Sequence, residues 1–348
     1  MKKDLRKEMI KIAIVILNWN GKRYLTKFLP SILSNSNNDG YCIYVADNGS
    51  SDGSVGWLSG HYPDVKIIPL DRNYGFAQGY SKALKQIESE YFVLLNSDVE
   101  VTPHWLKPVI QIMDDDESIA ACMPKIKSYD NKDLFEYAGA AGGFIDKFGY
   151  PFCRGRILNV IEKDDGQYDD MREIFWASGA CMFLRASAYF EAGGLDADFF
   201  AHMEEIDLCW RLKRLGYKII YSPEVTIYHV GGGTLPNNTP RKIFFNYRNN
   251  LFLLYKNLPS KNFLAVLLTR LFLDGISSLV YIAQFKISFF WSVMKAHFAF
   301  YCNLRTLMIK RRKFKSMEKV SQTGEIFPGG ILVRFFMRKQ HHFKQLEF

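Results

Sequence analysis

No two of the six cysteines form a C-x-x-C pair; Cys42, Cys122, Cys153, Cys181, Cys209 and Cys302 stand singly. That scatter argues against a zinc site or disulfide framework and suggests a reducing compartment. No G-x-G-x-x-G follows the first strand-like run and no G-x-x-x-x-G-K-[ST] occurs anywhere. Neither a dinucleotide fingerprint nor a Walker loop is therefore on offer. Long uncharged runs are missing too: in the apolar C-terminal hundred residues, Arg270, Asp274, Lys286 and Lys295 interrupt every stretch before the roughly eighteen residues a membrane span needs. The basic residues 1–11 lead into an apolar run, 12–17, too short for a signal-peptide core, so a cytoplasmic start is expected.

What is present is ample for a core: 348 residues, 48% of them hydrophobic, enough for two domains or one large domain with an appendage. The net charge of +9 sits at one end. From residue 301 onward eleven bases meet three acids, whereas the preceding residues hold 34 bases and 33 acids. This points to a local anionic partner rather than to a chain basic throughout, and no nucleic-acid partner is expected.

Along the chain, apolar runs at 11–17, 41–46, 65–69 and 91–95 alternate with helical spacing at 23–33, 55–59 and 79–88. Strands alternating with short helices predict an α/β fold with a mostly parallel sheet. The reading centres on residues 91–101, where the apolar run stops at Asn96-Ser97-Asp98. In a parallel sheet such loops share one edge, so 18–21, 47–54 and 96–98 are expected to line one crevice. Asp98 could hold a hard cation between protein and phosphate. Asp47 could accept from a base or ribose, and Arg72 could offset phosphate charge. Turn and capping roles explain the same residues equally well at this point.

Further on, Ser178-Gly179-Ala180 breaks an apolar run, as a strand does when something bulky approaches it. Glu204, Glu205 and Asp207 fall in the first turns of a helix marked by Met203, Ile206, Trp210 and Leu215. The helix dipole alone favours acids there; a general base is the functional alternative. His229 precedes the glycine run 231–233.

Residues 15–21, 45–54, 73–77 and 95–98 resemble, in order and spacing, family 2 glycosyltransferases, and more narrowly the bacterial rhamnosyltransferase-like subgroup with N-x-D in place of D-x-D. The resemblance implies a GT-A fold, a nucleotide-diphosphate sugar donor, and Mg²⁺ or Mn²⁺ held by Asp98, with one charge fewer because of Asn96. It implies a nucleotide site built from Asn18, Trp19, Asp47, Arg72, Asn73 and Ser97. Trp176, Gly179 and Ala180 would lie under the donor and acceptor sugars, with Trp176 as a platform. The family's E-D pair matches Glu204-Glu205, so Glu205, with Glu204 as fallback, is expected to deprotonate the acceptor hydroxyl. His229 becomes a candidate for metal or diphosphate contact.

The expected organisation is a transferase domain over 1–240 and a helical, aromatic-rich region with a basic tail over 241–348. Amphipathic helices lying in the membrane interface fit that region better than spans do. An inverting transfer to a glycan or lipid-linked acceptor at the inner face of the cell membrane follows. A sugar nucleotidyltransferase or a non-enzymatic membrane or nucleic-acid binder is the alternative.

Overall fold

Ala13, Ile14, Val15 and Ile16 form a run that leaves no polar face, which suits a strand covered on both sides. In the computed structural model, which describes residues 10–36, 40–231, 239–320 and 324–348, this run is the middle of β1 (Ile10–Asn18). The chain then passes through α1 (Lys22–Asn35), β2 (Tyr41–Asn48), α2 (Ser54–His61), β3 (Lys66–Leu70), α3 (Gly75–Leu84) and β4 (Ser89–Asn96). Strands β3, β2, β1 and β4 lie side by side and parallel. Asn18 is level with Asp47, and Leu17 with Asn96. The polar residues that end these strands therefore share one edge.

After β5 (Val99–Val101) and α4 (Leu106–Asp115), β6 (Ile119–Ser128) extends the same sheet. Residues 127–173, in which the sequence shows no period, hold strands of two to four residues: β7 (Gly143–Asp146), β8 (Pro151–Cys153), β9 (Arg156–Ile157) and β10 (Val160–Ile161), followed by β11 (Arg172–Glu173). Strands this short carry too few alternations to be read. Next, β12 (Cys181–Arg185) inserts antiparallel between β4 and β6, and α5 (Ala186–Glu191) and α6 (Glu204–Arg214) follow. One long strand, β13 (Lys218–His229), closes this part of the chain, and its register shifts between Ser222 and Thr226. Pro223 lies in that shift and has no N–H for the ladder.

Four helices come next: α7 (Pro240–Asn257), α8 (Phe263–Ala283), α9 (Ile287–Cys302) and α10 (Leu304–Met317). The chain then returns to the body. β14 (Ile326–Phe327) joins β7 in the second sheet, α11 (Ile331–Phe336) is tied to it by Asp146 accepting from the Ile331 amide, and Phe343 packs against Phe144 and Phe152. A buried ionic knot joins the helices to the sheet. Lys256, at the end of α7, pairs with Asp196 and with Asp207 of α6, and Lys310 of α10 also reaches Asp196.

Candidate active site

The crevice begins with a web of short polar side chains. Asn18 is fully buried, and its amide donates to Asp47 at 3.0 Å, to Ser50 at 3.1 Å and to Ser54 at 2.9 Å, while Asp47 also accepts from the Ser50 amide. Asn18 and Asp47 thus brace the loop between β2 and α2. Asn48, which the sequence reading passed over, donates to Asn73 and to the Gly75 carbonyl and accepts from the Tyr74 amide. Trp19, at 41% exposed, and Arg72, whose guanidinium lies 4.9 Å from the Tyr74 ring centre, stand open at the rim. Ser97 is partly buried beside Gly21.

Asp98 follows directly and is buried. Its carboxylate lies 3.2 Å from Nε2 of His229, and Nδ1 of His229 lies 3.4 Å from the buried Glu136. The second contact is an ion pair without good hydrogen-bond geometry. Burial opposes charge on this imidazole, yet Glu136 and Asp98 together push its pKa up to about 10. Burial likewise works against an ionised Asp98, but the His229 hydrogen bond and charge outweigh it and hold the carboxyl below its ordinary value. His229 thus bridges the carboxylates of Asp98 and Glu136 and stands directly beside the expected cation anchor. Among the described residues no three acid, imidazole or thiol groups converge as a ready-made cage. A single carboxylate at a strand end nevertheless fits Mg²⁺ or Mn²⁺, which take oxygen ligands and complete their shell with substrate phosphates and water.

The helix α6 supplies the second set of acids, and its three first-turn carboxylates differ. Asp207 is bound by Arg211, Lys256 and Asn257; burial opposes its charge, but Lys256 and Arg211 keep its pKa low. Glu204 and Glu205 each keep a buried oxygen without a partner among the described residues. Burial pushes Glu205 up to about 7; burial and then the charge of Glu205 push Glu204 well above its ordinary range. The dipole explanation accounts for acids that face water, not for a carboxylate such as Glu204 at 3% exposed. Nearby, burial and then the charge of Lys242 push His202 down to about 4, so this imidazole is neutral. The charge of Glu136 in turn acts on Lys242, which links the Asp98 side of the crevice to the α6 side.

The loop that delivers these carboxylates is backbone-strained and clamped. Phe200, His202 and Met203 have φ of 63°, 71° and 72°. Asn249 of α7 is fully buried and donates to the carbonyls of Phe199, Ala201 and His202, while Arg248 donates to those of Asp198 and Phe199. The Phe200 carbonyl accepts from the Phe76 and Ala77 amides at the start of α3. Gly75, at φ 73°, permits this approach, since a Cβ there would stand 2.6 Å from Phe200. None of these residues was singled out from sequence as a site residue. The polar triplet Arg248-Asn249-Asn250 inside an apolar helix was the available signal.

Between the two sets of acids runs the segment before β12. Gly179 meets the Phe76 ring, which a Cβ would approach to 2.9 Å, and the Ala180 carbonyl accepts from the Asn96 amide. The close approach expected at Gly179 is therefore present. Trp176 is corrected as a sugar platform: it is 3% exposed and its indole N–H donates to the Phe144 carbonyl, so the ring is part of the core.

Residues 13–190, just over half of the chain, match the family model described as glycosyl transferase family 2. The chain is 25% identical over 236 residues to the N-acetylglucosaminyl-diphospho-decaprenol L-rhamnosyltransferase of Mycobacterium tuberculosis, covering 63% of this chain and 75% of that one. It is 24% identical over 224 residues to rhamnosyltransferase WbbL of Escherichia coli, covering 63% and 83%. Among solved structures, the mannosyltransferase of Pyrobaculum calidifontis in complex with GDP-Man and Mn²⁺ shares the fold with a TM-score of 0.51 at 13% identity, over 88% of this chain and 85% of that one. The crevice at the ends of parallel strands and the match over half the length agree: this chain belongs to glycosyl transferase family 2.

Proposed function

We propose that the protein moves a sugar, of the rhamnose type, from a nucleoside-diphosphate donor to the hydroxyl of a lipid-linked glycan at the inner face of the cell membrane, with Glu205 as general base. Membership of the family makes it a nucleotide-sugar transferase of glycan biosynthesis. The relatives named as rhamnosyltransferases, one of them for a diphospho-decaprenol acceptor, support the finer reading. The observation that carries it is the pair of adjacent carboxylates at Glu204 and Glu205, each with a buried oxygen that has no partner among the described residues, with the pKa of Glu205 raised to about 7. A base whose pKa lies near neutrality is both ionised enough to act and basic enough to take a hydroxyl proton.

In this reading Asp98 anchors Mg²⁺ or Mn²⁺, which supplies the positive charge that offsets the leaving diphosphate. His229 holds Asp98 ionised and oriented, and Asn18, Asp47, Asn48 and Asn73 set the loops that receive the nucleotide. Trp19, Arg72 and Ser97 meet it from the rim. Glu205 takes the acceptor proton, and Glu204, kept neutral, limits the charge beside it. We assign transfer to the body formed by residues 1–240 together with α7 and the returning segment 324–348, and membrane contact to α8 and α9.

The test is a panel of UDP-, GDP- and dTDP-sugars incubated with a polyprenyl-diphosphate-linked saccharide, with and without Mn²⁺. The reading predicts metal-dependent release of nucleoside diphosphate and a lengthened lipid-linked product. Release of pyrophosphate from a nucleoside triphosphate and sugar phosphate would instead identify a nucleotidyltransferase.

A further inference from the structure

The sequence-level interruptions of the apolar C-terminal run are not interruptions on the surface. Helix α8 buries Leu267, Arg270, Asp274 and Ser278 on one side. The Arg270 guanidinium pairs with Asp274 at 2.8 Å and lies 3.8 Å from the centre of the Tyr150 ring, and His297 of α9 reaches Asp274 at 3.3 Å. With both charges turned inward, the outer stripe is Leu264, Leu268, Phe272, Ile276 and Leu279, all exposed and all apolar, with Phe272 at 68%. Past Phe285, at 92% exposed, α9 adds the exposed Trp291 and Phe298, with the exposed Lys295 between them on the same face. A contiguous apolar face of this kind is rare on a free surface and marks a contact.

Charge says what the contact is with. Residues 225–317 contain 14 bases and one acid, and the acid is Asp274, at 1% exposed. The surface around the stripe thus presents Lys261, Lys286, Lys295 and Arg305 and no carboxylate from this stretch. A second copy of the chain would bring the same cations against them, whereas anionic headgroups neutralise them.

We infer that the outer face of the α8–α9 hairpin, from Leu264 through Phe272 to Phe298, seats the enzyme in the headgroup and upper acyl region of an anionic lipid leaflet. The hairpin lies along the surface and does not cross it. By length and composition Ser260–Ala283 would suffice for a span. Crossing would pull the Arg270–Asp274 pair away from Tyr150 and His297 and carry both charges into hydrocarbon. This inference rests on the membrane-bound acceptor proposed above and adds the surface and the mode of contact.

The experiment is flotation of the full-length protein with phosphatidylcholine vesicles, with and without phosphatidylglycerol, together with quenching of tryptophan fluorescence by brominated acyl chains. The wild type is expected to float with the anionic vesicles and to show quenching that disappears in Trp291→Phe. A Phe272→Glu, Leu279→Glu double variant is expected to partition about tenfold more weakly or worse, since two apolar side chains that enter the lipid on binding become charged. Both positions are exposed, and an unchanged thermal midpoint checks that the variant is folded. Lys286→Gln with Lys295→Gln should weaken binding to anionic vesicles while leaving the quenching depth of the bound fraction unchanged. The inference is overturned if the wild type stays in the lipid-free fraction, if the double variant floats equally well, or if that variant turns a wild-type dimer into a monomer. Nucleoside diphosphate release with a soluble acceptor is read in parallel. Turnover without flotation removes this inference alone, and flotation without turnover removes the transfer reading alone.

Discussion

Glu204, Glu205 and Asp207 lie within one turn of α6, yet only Asp207 has partners to hold its charge. That contrast yields two opposite consequences of one substitution. Glu205→Gln is expected to lower kcat by about 10²–10⁴-fold while donor affinity stays within a few fold. The same change should stabilise the protein at pH 8. The Glu205 pKa rises from 4.5 unfolded to about 7 folded, so the folded state holds the extra proton between those values. Stability therefore falls as pH rises through that window, and the full penalty is present above it. Removing it should raise stability by on the order of 2–3 kcal/mol at pH 8 and change little at pH 4, as chemical denaturation at the two pH values will read. In the wild type, the acid limb of the kcat/KM profile should fall below pH about 7. At this scale the sequence was a partial guide. The acids of α6 and the aspartate after β4 were legible through the family resemblance, since turn and helix-dipole roles explain carboxylates at those places equally well. Glu136 was not, because nothing in Leu134-Phe135-Glu136 signals that its carboxylate meets His229.

The loop 197–203 is held by elements distant in sequence, and this is where reading the chain in order failed. Helix α3 was expected to begin at Gly79 and begins at Gly75, because its first free amides are satisfied by the Phe200 carbonyl. No local pattern predicts a cap supplied from more than a hundred residues away. Asn249→Ala removes the donor that serves three carbonyls in the left-handed stretch. It should lower stability by about 1–3 kcal/mol and lower kcat more than it raises the donor KM, since the loop carries the base. Asn249→Asp, which keeps the shape but not the donors, should not restore kcat. Gly75→Ala combines an unfavourable φ with a collision at Phe200 and should disturb the same loop from its other side, at about 1–3 kcal/mol in a thermal or urea melt. Trp176 failed for a related reason: an aromatic beside a small-residue strand reads equally as platform or core, and only the Phe144 carbonyl decides between them.

Across the whole molecule, the parallel strands β1 to β4 and their shared edge followed from alternating apolar runs and polar strand ends, whereas the antiparallel insertion of β12 did not. The placement of the C-terminal helices did not. Their charges looked like breaks in a membrane-seeking pattern and are instead an internal staple, with Arg270 and Asp274 paired against Tyr150. Arg270→Met alone should destabilise by about 3 kcal/mol, because Asp274 is left buried with His297 as its one remaining charge partner, whereas Arg270→Met with Asp274→Leu should recover most of that loss. The same helices reach into the crevice through Arg248 and Asn249, so the transfer site and the lipid-facing surface are two sides of one packed body.

The account turns on Asp98 and the α6 carboxylates serving one reaction in different ways, and Mn²⁺ titration of nucleoside diphosphate release tests this most directly in wild type, Asp98→Asn and Glu205→Gln. The prediction is that Asp98→Asn loses the Mn²⁺-dependent tightening of nucleotide binding together with turnover. Glu205→Gln should bind Mn²⁺ and nucleotide as the wild type does and fail only in transfer. Full transfer by Glu205→Gln and Glu204→Gln alike, or Mn²⁺-dependent nucleotide binding undiminished in Asp98→Asn, would contradict it.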